Sequence, residues 1–367
     1  VTSSPGEIRG LAIDDEGAVD SAIERPGGPL GVEDRVVGRI VSRVAAMAGA
    51  FVALPVGSAD GFLPDTAGAR GLAEGTHLAL RVTRGSQGGK GPRLAALPET
   101  SLESGQGPIR LLARGPGAVE RLATLHPEAA IRVDSPAVSA ALPTALRVRV
   151  AVGLGDNGAE VAAIWSALAD DHVALPGGAR MTITPTPALT AIDIDAGSAT
   201  AERRVKKAAQ LALNRALAPA IARQIRLRHL AGAILIDPAG VAQHSRPQLA
   251  AAFAAALADD PWHPQFLGFT ALGLAEILRP RRHPPMHELL TGTHGEALDA
   301  LAALCTAWQS RPGAAESILA TPDIVGAIEA DTVAREQFRY RTGRYPSLHA
   351  GSFAGSRSIR WRLFTNL

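Results

Sequence analysis

Two short apolar runs in this chain end on aspartates: ALTAIDID carries Asp193 and Asp195, and GAILID ends at Asp237. Both have the β-branched and aliphatic make-up of buried strands. Between them, over residues 201–229, lies the longest helical pattern in the chain. A strand–helix–strand crossover lays its two strands side by side and parallel. It also brings their carboxyl ends, where open α/β sheets hold ligands, to one edge. Asp193 and Asp237 would then converge. Two adjacent carboxylates suit a hard divalent cation, which takes a couple of protein oxygens and keeps its other positions for water and phosphate. The chemistry open to such a pair is phosphodiester cleavage, with water activated for in-line attack and the charge growing on phosphorus neutralised. Asp195, two residues on, points to the same side of a pleated strand and is placed to orient a water. Strand-end aspartates also cap loops and helices, so the pair gains meaning only from its surroundings.

Those surroundings are basic. The formal net charge is only +2, but from Glu202 to His229 eight basic residues, beginning with Arg203, Arg204, Lys206 and Lys207, face the single acid Glu202. Clustering of this kind is an electrostatic footprint for a polyanion. It suggests that the helix holds phosphates flanking the reacting one. A second cluster, Arg335 to Arg362, lies among Phe338, Tyr340, Tyr345, Phe353 and Trp361; for either run, a solvated helix face or a loose tail is the plainer interpretation.

The elements that must position these residues come from a chain of 367 residues, long enough for two or three packed units. Its 46% hydrophobic and 20% charged residues are the balance of a folded protein. The longest apolar stretch, Ala250 to Ala258, is too short and too rich in alanine to span a bilayer. The N-terminus lacks the features of a secretory signal and Cys305 has no partner for an internal disulfide, so a cytoplasmic, membrane-free protein is the expectation. EIRGLAIDDEGAVDSAIER contains two strand-like runs around a turn and predicts a hairpin. Between Arg35 and Leu97, five short runs broken by glycine and proline predict a small closed barrel of the OB type. On it, Phe51 and Phe62 lie on consecutive strands, where exposed rings stack RNA bases, and Lys90 sits in a glycine-rich loop. The commoner fate of two such phenylalanines is the core. Further on, a strand is expected over Ala145–Val152, a helix near Ala159–Leu168 and two strands within residues 179–195. Pro219 is expected to kink or divide the long helix.

Three other signals carry less. Gly153 to Gly158 fits G-x-G-x-x-G, but no acidic strand end follows and 38 glycines make chance matches frequent. His283, His287, His294 and Cys305 match no familiar zinc spacing, so no zinc site is expected. Cys305 sits in LAALCTAW, a helix of buried character, which disfavours a nucleophilic role.

Taken together, ALTAIDIDAGSAT and LNRALAPAIARQIRLRHLAGAILID resemble the catalytic block of the ribonuclease E/G family, and IARQIRLRHLAG is a long and specific run. The resemblance implies a metal-dependent endoribonuclease that hydrolyses single-stranded RNA with Mg²⁺, or Mn²⁺ in its place, leaving a 5′-phosphate and a 3′-hydroxyl. Asp193 and Asp237 are then the metal ligands, Asn214 takes the place of an active-site asparagine, and Asp195 stands where asparagine is common. GAFVAL, DGFLP and GGKGPRL resemble the family's inserted OB-fold barrel, which implies that Phe51, Phe62 and Lys90 touch RNA. The hairpin and IRVDS resemble two halves of an RNase H-like subdomain, and GFTALGLAEILR the end of a deoxyribonuclease-I-like catalytic subdomain.

The implied fold class is α/β with several subdomains. Residues 1–33 and 104–163 form the RNase H-like part, 34–100 the OB-fold barrel and 164–280 the deoxyribonuclease-I-like part, leaving 281–367 without a fold assignment. The family's 5′-monophosphate pocket has no counterpart, since residues 98–108 join the barrel almost directly to the RNase H-like part. Its C-x-x-C zinc link is also absent, HPPMHELL standing near that place, so a homodimer would lack a zinc link. Gly240 replaces a second acid after Asp237. The rival expectation is a weakly active or inactive RNA-binding protein derived from the same family.

Overall fold

The computed structural model describes residues 1–55, 58–98, 107–196, 203–311, 316–353 and 359–365. The chain divides into two compact units, one of Val1–Leu11, Ser21–Gly158 and Glu288–Leu367, the other of Ala12–Asp20 and Ala159–His287. The opening strands β1 (Thr2–Ser4), β2 (Glu7–Asp14) and β3 (Gly17–Glu24) form a three-stranded sheet that contains the expected hairpin.

Six strands follow: β4 (Arg35–Val44), β5 (Gly49–Ala53), β6 (Gly61–Pro64), β7 (His77–Arg84), β8 (Arg93–Ala96) and β9 (Arg110–Ala113). The order β5-β6-β8-β7-β4, with β4 pairing again with β5, closes five strands into an OB-like barrel. β4 makes closure feasible. Its first half pairs with β7 at Arg35–Arg39 and its second half with β5, with a register shift between Ile40 and Ser42; a bulge of this kind bends a strand and increases its twist. Gly38 lies within the β7-paired stretch, where a Cβ would stand 2.6 Å from Val52 Cγ1 and 2.8 Å from Leu80 Cδ1. Val36, Ile40, Val52, Leu63, Leu80 and Leu94 alternate inward and fill the interior.

After the barrel come α1 (Ala118–Leu125), β10 (Ile131–Val133), α2 (Pro136–Ala141), α3 (Thr144–Arg147) and β11 (Val150–Val152), with β10 and β11 parallel. The strand expected over Ala145–Val152 survives only as β11. Pro143 ahead of it starts a helical turn instead, its carbonyl accepting from Leu146 N–H at 2.9 Å.

The second unit is built on α4 (Asn157–Ala169), β12 (His172–Ala174), β13 (Arg180–Pro185), β14 (Leu189–Asp195), α5 (Arg203–Leu227), β15 (Gly232–Asp237), α6 (Ala250–Ala256), β16 (Gln265–Phe269) and β17 (Ala275–Arg279). Its sheet runs β12-β13-β14-β15-β17-β16, with β14 and β15 its one parallel pair among the described residues. Met181, Ile192, Ile194, Ile234, Ile236 and Ile277 point into one core with Leu217, Ile221 and Ile225 of α5. Pro219 does not divide α5. Leu217, Ala218 and Ile221 around it are each 1% exposed, and their packing outweighs the roughly 3 kcal/mol that an interior proline costs a helix.

The arginines in the second half of α5 are anchors of the fold, contrary to a reading of the whole helix as a phosphate grip. Arg223 pairs with Asp14 and Glu16 at 2.9 Å each, and Arg226 Nε donates to Asp20 at 2.7 Å. Arg228, buried, donates to the carbonyls of Ala167, Leu168 and Asp170. At the end of β17, Arg279 is sealed in at 1% exposure. It donates to both Asp260 oxygens at 2.7 and 3.2 Å and to Leu230 O at 3.1 Å, and its guanidinium lies 4.0 Å from the Trp262 ring centre.

The chain closes with α7 (Met286–Thr291), α8 (Thr293–Ser310), β18 (Glu316–Ala320), α9 (Pro322–Ala330), α10 (Thr332–Thr342), β19 (Leu348–Ala350) and β20 (Trp361–Thr365). The sheet β19-β18-β20 packs through Ile318 and Ala320 with Leu298, Leu301, Leu304, Ile324 and Phe338 of the helices. The C-terminal arginines are also largely engaged within the fold, not spread along a loose tail. Arg360 pairs with Glu296 and Asp323, Arg341 donates to Ser3, and Arg344 stacks 3.6 Å from the Trp308 ring centre. No described helix is long and apolar enough to cross a membrane.

Removing one member of a buried, hydrogen-bonded ion pair strands the other charge. Asp260→Ala is therefore expected to destabilise the protein by about 3–5 kcal/mol, read as a lower midpoint in urea unfolding followed by circular dichroism.

Candidate active site

Parallel pairing of β14 with β15 sets Asp193 directly opposite Asp237. Neighbouring strands run about 4.8 Å apart, so the two carboxylates start from adjacent points on one sheet edge. Alternation sends them to the same side. Ile192 and Ile194, and likewise Ile234 and Ile236, are at most 4% exposed and face the core, whereas Asp193 and Asp195 are exposed on the opposite face.

That face continues across the sheet. Thr182 of β13 stands opposite Asp193, and His172 of β12 opposite Thr182, with His172 Nδ1 3.2 Å from Thr182 Oγ1. Arg180 stands opposite Asp195 and is exposed. One surface thus carries Asp237, Asp193, Thr182 and His172 in a row, with Asp195 and Arg180 beside it. Alternation along RMTITP puts Arg180 and Thr182 on one side of a strand, but which side, and next to what, depends on a register that no local pattern reveals.

Asn214 works from below. It is 1% exposed, its Nδ2 donates to Gln210 O at 2.7 Å and Ala239 O at 3.0 Å, and its Oδ1 accepts from Ala239 N–H at 3.0 Å. The amide therefore clamps both backbone polar groups of Ala239, two residues beyond Asp237, and holds the turn that leaves the strand. The polar atoms of Asn214, a residue expected at the active site, are occupied by backbone inside the core. Gly240 follows in the left-handed region with φ +61°, and a Cβ there would lie 2.2 Å from Gln210 Nε2. Gln210 fills the space that a larger side chain would need.

Arg246 had no part in the sequence expectations. It lies in the 3-10 turn Gln243–Leu249 after β15, with Nη1 2.8 Å from Asp237 Oδ1. Its Nε donates to Val241 O at 2.8 Å and its Nη1 to Gly273 O at 2.9 Å. Asp237 Oδ1 is buried although the side chain as a whole is 48% exposed, so the solvent-facing oxygen of this carboxylate is Oδ2.

The other residues singled out from the sequence fall on other elements. Phe51 and Phe62 are cross-strand partners on the outside of the barrel, half-buried, with ring centres 5.7 Å apart at 68°. Arg93 lies 5.8 Å from the Phe62 ring centre and Lys90 is exposed. The Lys90 loop is kept close to the barrel by Gly91, where a Cβ would fall 1.9 Å from Asp60 O. Arg203, Arg204, Lys206 and Lys207 open α5, and their side chains lie outside the described residues, as do residues 99–106, the junction after the barrel. Of the histidine and cysteine set, His283 packs its ring at a tilt against those of Trp262 and His229, and His294 pairs with Asp331 at 2.9 Å. Cys305 is buried, which pushes its thiol pKa up.

Residues 158–282, which contain the whole of this site, match the ribonuclease E/G family. The chain is 38% identical over 133 residues to a ribonuclease E of Nostoc sp., 36% of this chain and 19% of that protein. It is 33% identical over 129 residues to a ribonuclease G of Haemophilus influenzae, 35% of this chain and 26% of that protein. The matched region therefore spans about a quarter or less of the length of these relatives.

Deleting the Asn214 clamp orphans a buried N–H and a buried carbonyl. Asn214→Ala should cost about 2–4 kcal/mol and raise hydrogen exchange at the amides of residues 237–241 relative to the β17 amides, measured by mass spectrometry.

Proposed function

We propose, from the match of residues 158–282 to the ribonuclease E/G family, that the chain is a metal-dependent endoribonuclease that hydrolyses phosphodiester bonds of single-stranded RNA in cytoplasmic RNA processing or decay. The observation that carries this reading is the register of β14 and β15, which pairs Asp193 with Asp237 on an open sheet face. This donor set fits magnesium, or manganese in its place: carboxylates from adjacent strands with an exposed side left for water and phosphate oxygens. When bound, such an ion supplies activation of water and neutralisation of charge on the phosphate.

The chain's own side chains do the rest. Asp195, exposed on the same face, accepts a hydrogen bond from the attacking water and orients it. Arg180 and His172, along the same surface, attract the phosphates that flank the reacting one, and the products carry a 5′-phosphate and a 3′-hydroxyl. On the barrel, Phe51 and Phe62 stack bases while Lys90 and Arg93 draw in the backbone; Arg203, Arg204, Lys206 and Lys207 add positive charge at the start of α5. The finer fold assignment belongs to the same proposal: residues 164–280 as a deoxyribonuclease-I-like catalytic subdomain, 34–100 as the OB-fold barrel, and 1–33 with 104–163 as an RNase H-like subdomain. Sensing of a 5′-monophosphate and a zinc-linked dimer form no part of it.

A second reading, an RNA-binding protein with little catalysis, is favoured by Gln210 standing where a side chain at position 240 would lie. A fluorogenic single-stranded oligonucleotide, with and without Mg²⁺, separates the two: Mg²⁺-dependent signal is expected, and silence in both tubes would favour the second. Asp193→Asn and Asp237→Asn should each lower cleavage at least about 1,000-fold, on the scale of losing a catalytic group, with RNA affinity by filter binding retained; cleavage at the parental rate would refute the assignment. Replacing Phe51 and Phe62 together by alanine is expected to weaken RNA binding by about 2–4 kcal/mol, at roughly 1–3 per stacked base, measured by fluorescence anisotropy at fixed salt.

A further inference from the structure

Arg246 meets the acidic pair in an unusual way. Its guanidinium is held at three points: Val241 O at 2.8 Å, Gly273 O at 2.9 Å and Asp237 Oδ1 at 2.8 Å. The two carbonyls come from the turn after β15 and from the turn between β16 and β17, so the side chain is braced by backbone on both sides of the carboxylate it touches. Its exposure is 15%. Gly273 lies close against the side chain, since a Cβ there would stand 2.8 Å from Arg246 Cδ. These contacts hold the guanidinium beside Asp237.

The effect on Asp237 is twofold. Its rotation is limited, because Oδ1 is buried against the guanidinium and only Oδ2 faces solvent. In addition, the fixed positive charge reduces the net charge of Asp193, Asp237 and Arg246 together from minus two to minus one. A cation approaching this face meets one free oxygen of Asp237 and a weaker field than two unopposed carboxylates would create. A polyanion approaching the same face is repelled less.

We propose that Arg246 is a positioning residue that presents Asp237 through a single oxygen and moderates divalent-cation affinity in favour of the RNA phosphate. The proposal rests on the reading of Asp193 and Asp237 as a cation-binding pair, and it yields an outcome that a purely structural arginine would not produce. If Arg246 only supported the fold, removing it would loosen Asp237 and weaken cation binding. If it opposes the cation, removing its charge tightens binding while turnover falls.

The test is Mn²⁺ binding to the full chain, followed by electron paramagnetic resonance of the free ion, alongside cleavage kinetics. Arg246→Gln is expected to bind Mn²⁺ more tightly, on the order of tenfold for the loss of one unit charge close to a half-exposed carboxylate, and to show a lower kcat and a raised KM for RNA. Arg246→Lys keeps the charge and should stay within about twofold of the parent in Mn²⁺ affinity, as expected for an electrostatic cause; if the Gln variant does not fold, this comparison still decides, since clearly tighter binding by the Lys variant would overturn the proposal. Unchanged or weaker Mn²⁺ binding in a folded Gln variant would overturn it equally. The failure of the underlying reading looks different: the parent would then bind no Mn²⁺, or bind it as well after Asp193→Asn.

Discussion

Everything at the candidate site depends on one parallel strand pairing. Among the described residues β14 and β15 are the sole parallel neighbours in their sheet, and their register aligns Asp193 with Asp237. Parallel neighbours need a crossover, which α5 supplies. It buries Leu217, Ile221 and Ile225 against Ile192, Ile194, Ile234 and Ile236. A shift of one residue in this register would turn one carboxylate towards the core and the other towards solvent. The isoleucines that seal one face therefore also decide that the acids share the other.

Around this pairing the protein uses backbone-directed polar side chains as fasteners. Asn214 holds Ala239, Arg246 holds Val241 and Gly273, and Arg228 holds the end of α4 through three carbonyls. Buried polar groups are stable only when matched, and each of these is matched mainly to main chain. The turns leaving β15 and joining β16 to β17 are thereby fixed without secondary structure of their own, which suits a site built at strand ends. The barrel uses a different solution: closure through a bulge in β4, an interior of aliphatic residues, and an aromatic pair left outside.

Much of this was legible in advance because it is local. Strand runs ending in aspartate, the helix between them, the hairpin and the five barrel strands all follow from periodicity and turn residues. The exceptions have identifiable causes. Ala145–Val152 reads as a strand by composition, yet Pro143 turns its first half into a helix; Pro219 suggests a break in a helix that packing keeps whole. The basic run in α5 looks uniform in sequence, but Arg223, Arg226 and Arg228 meet acids and carbonyls far along the chain. Charge counting cannot distinguish an arginine that neutralises a fold from one that awaits a ligand.

By itself, then, the sequence determined most of the strands and helices of the barrel and of the sheet that carries the site, which two acids stand at strand ends, and the resemblance of residues 158–282 to the ribonuclease E/G family, because these depend on residue order and short-range spacing. Only the tertiary structure decided that Asp193 and Asp237 are register partners, that Thr182, His172 and Arg180 share their face, that Asn214 is engaged with main chain, and that Arg246 rests on Asp237. Those relations join segments through sheet register and turn geometry. They arise when the core closes, and no local pattern of side chains encodes them.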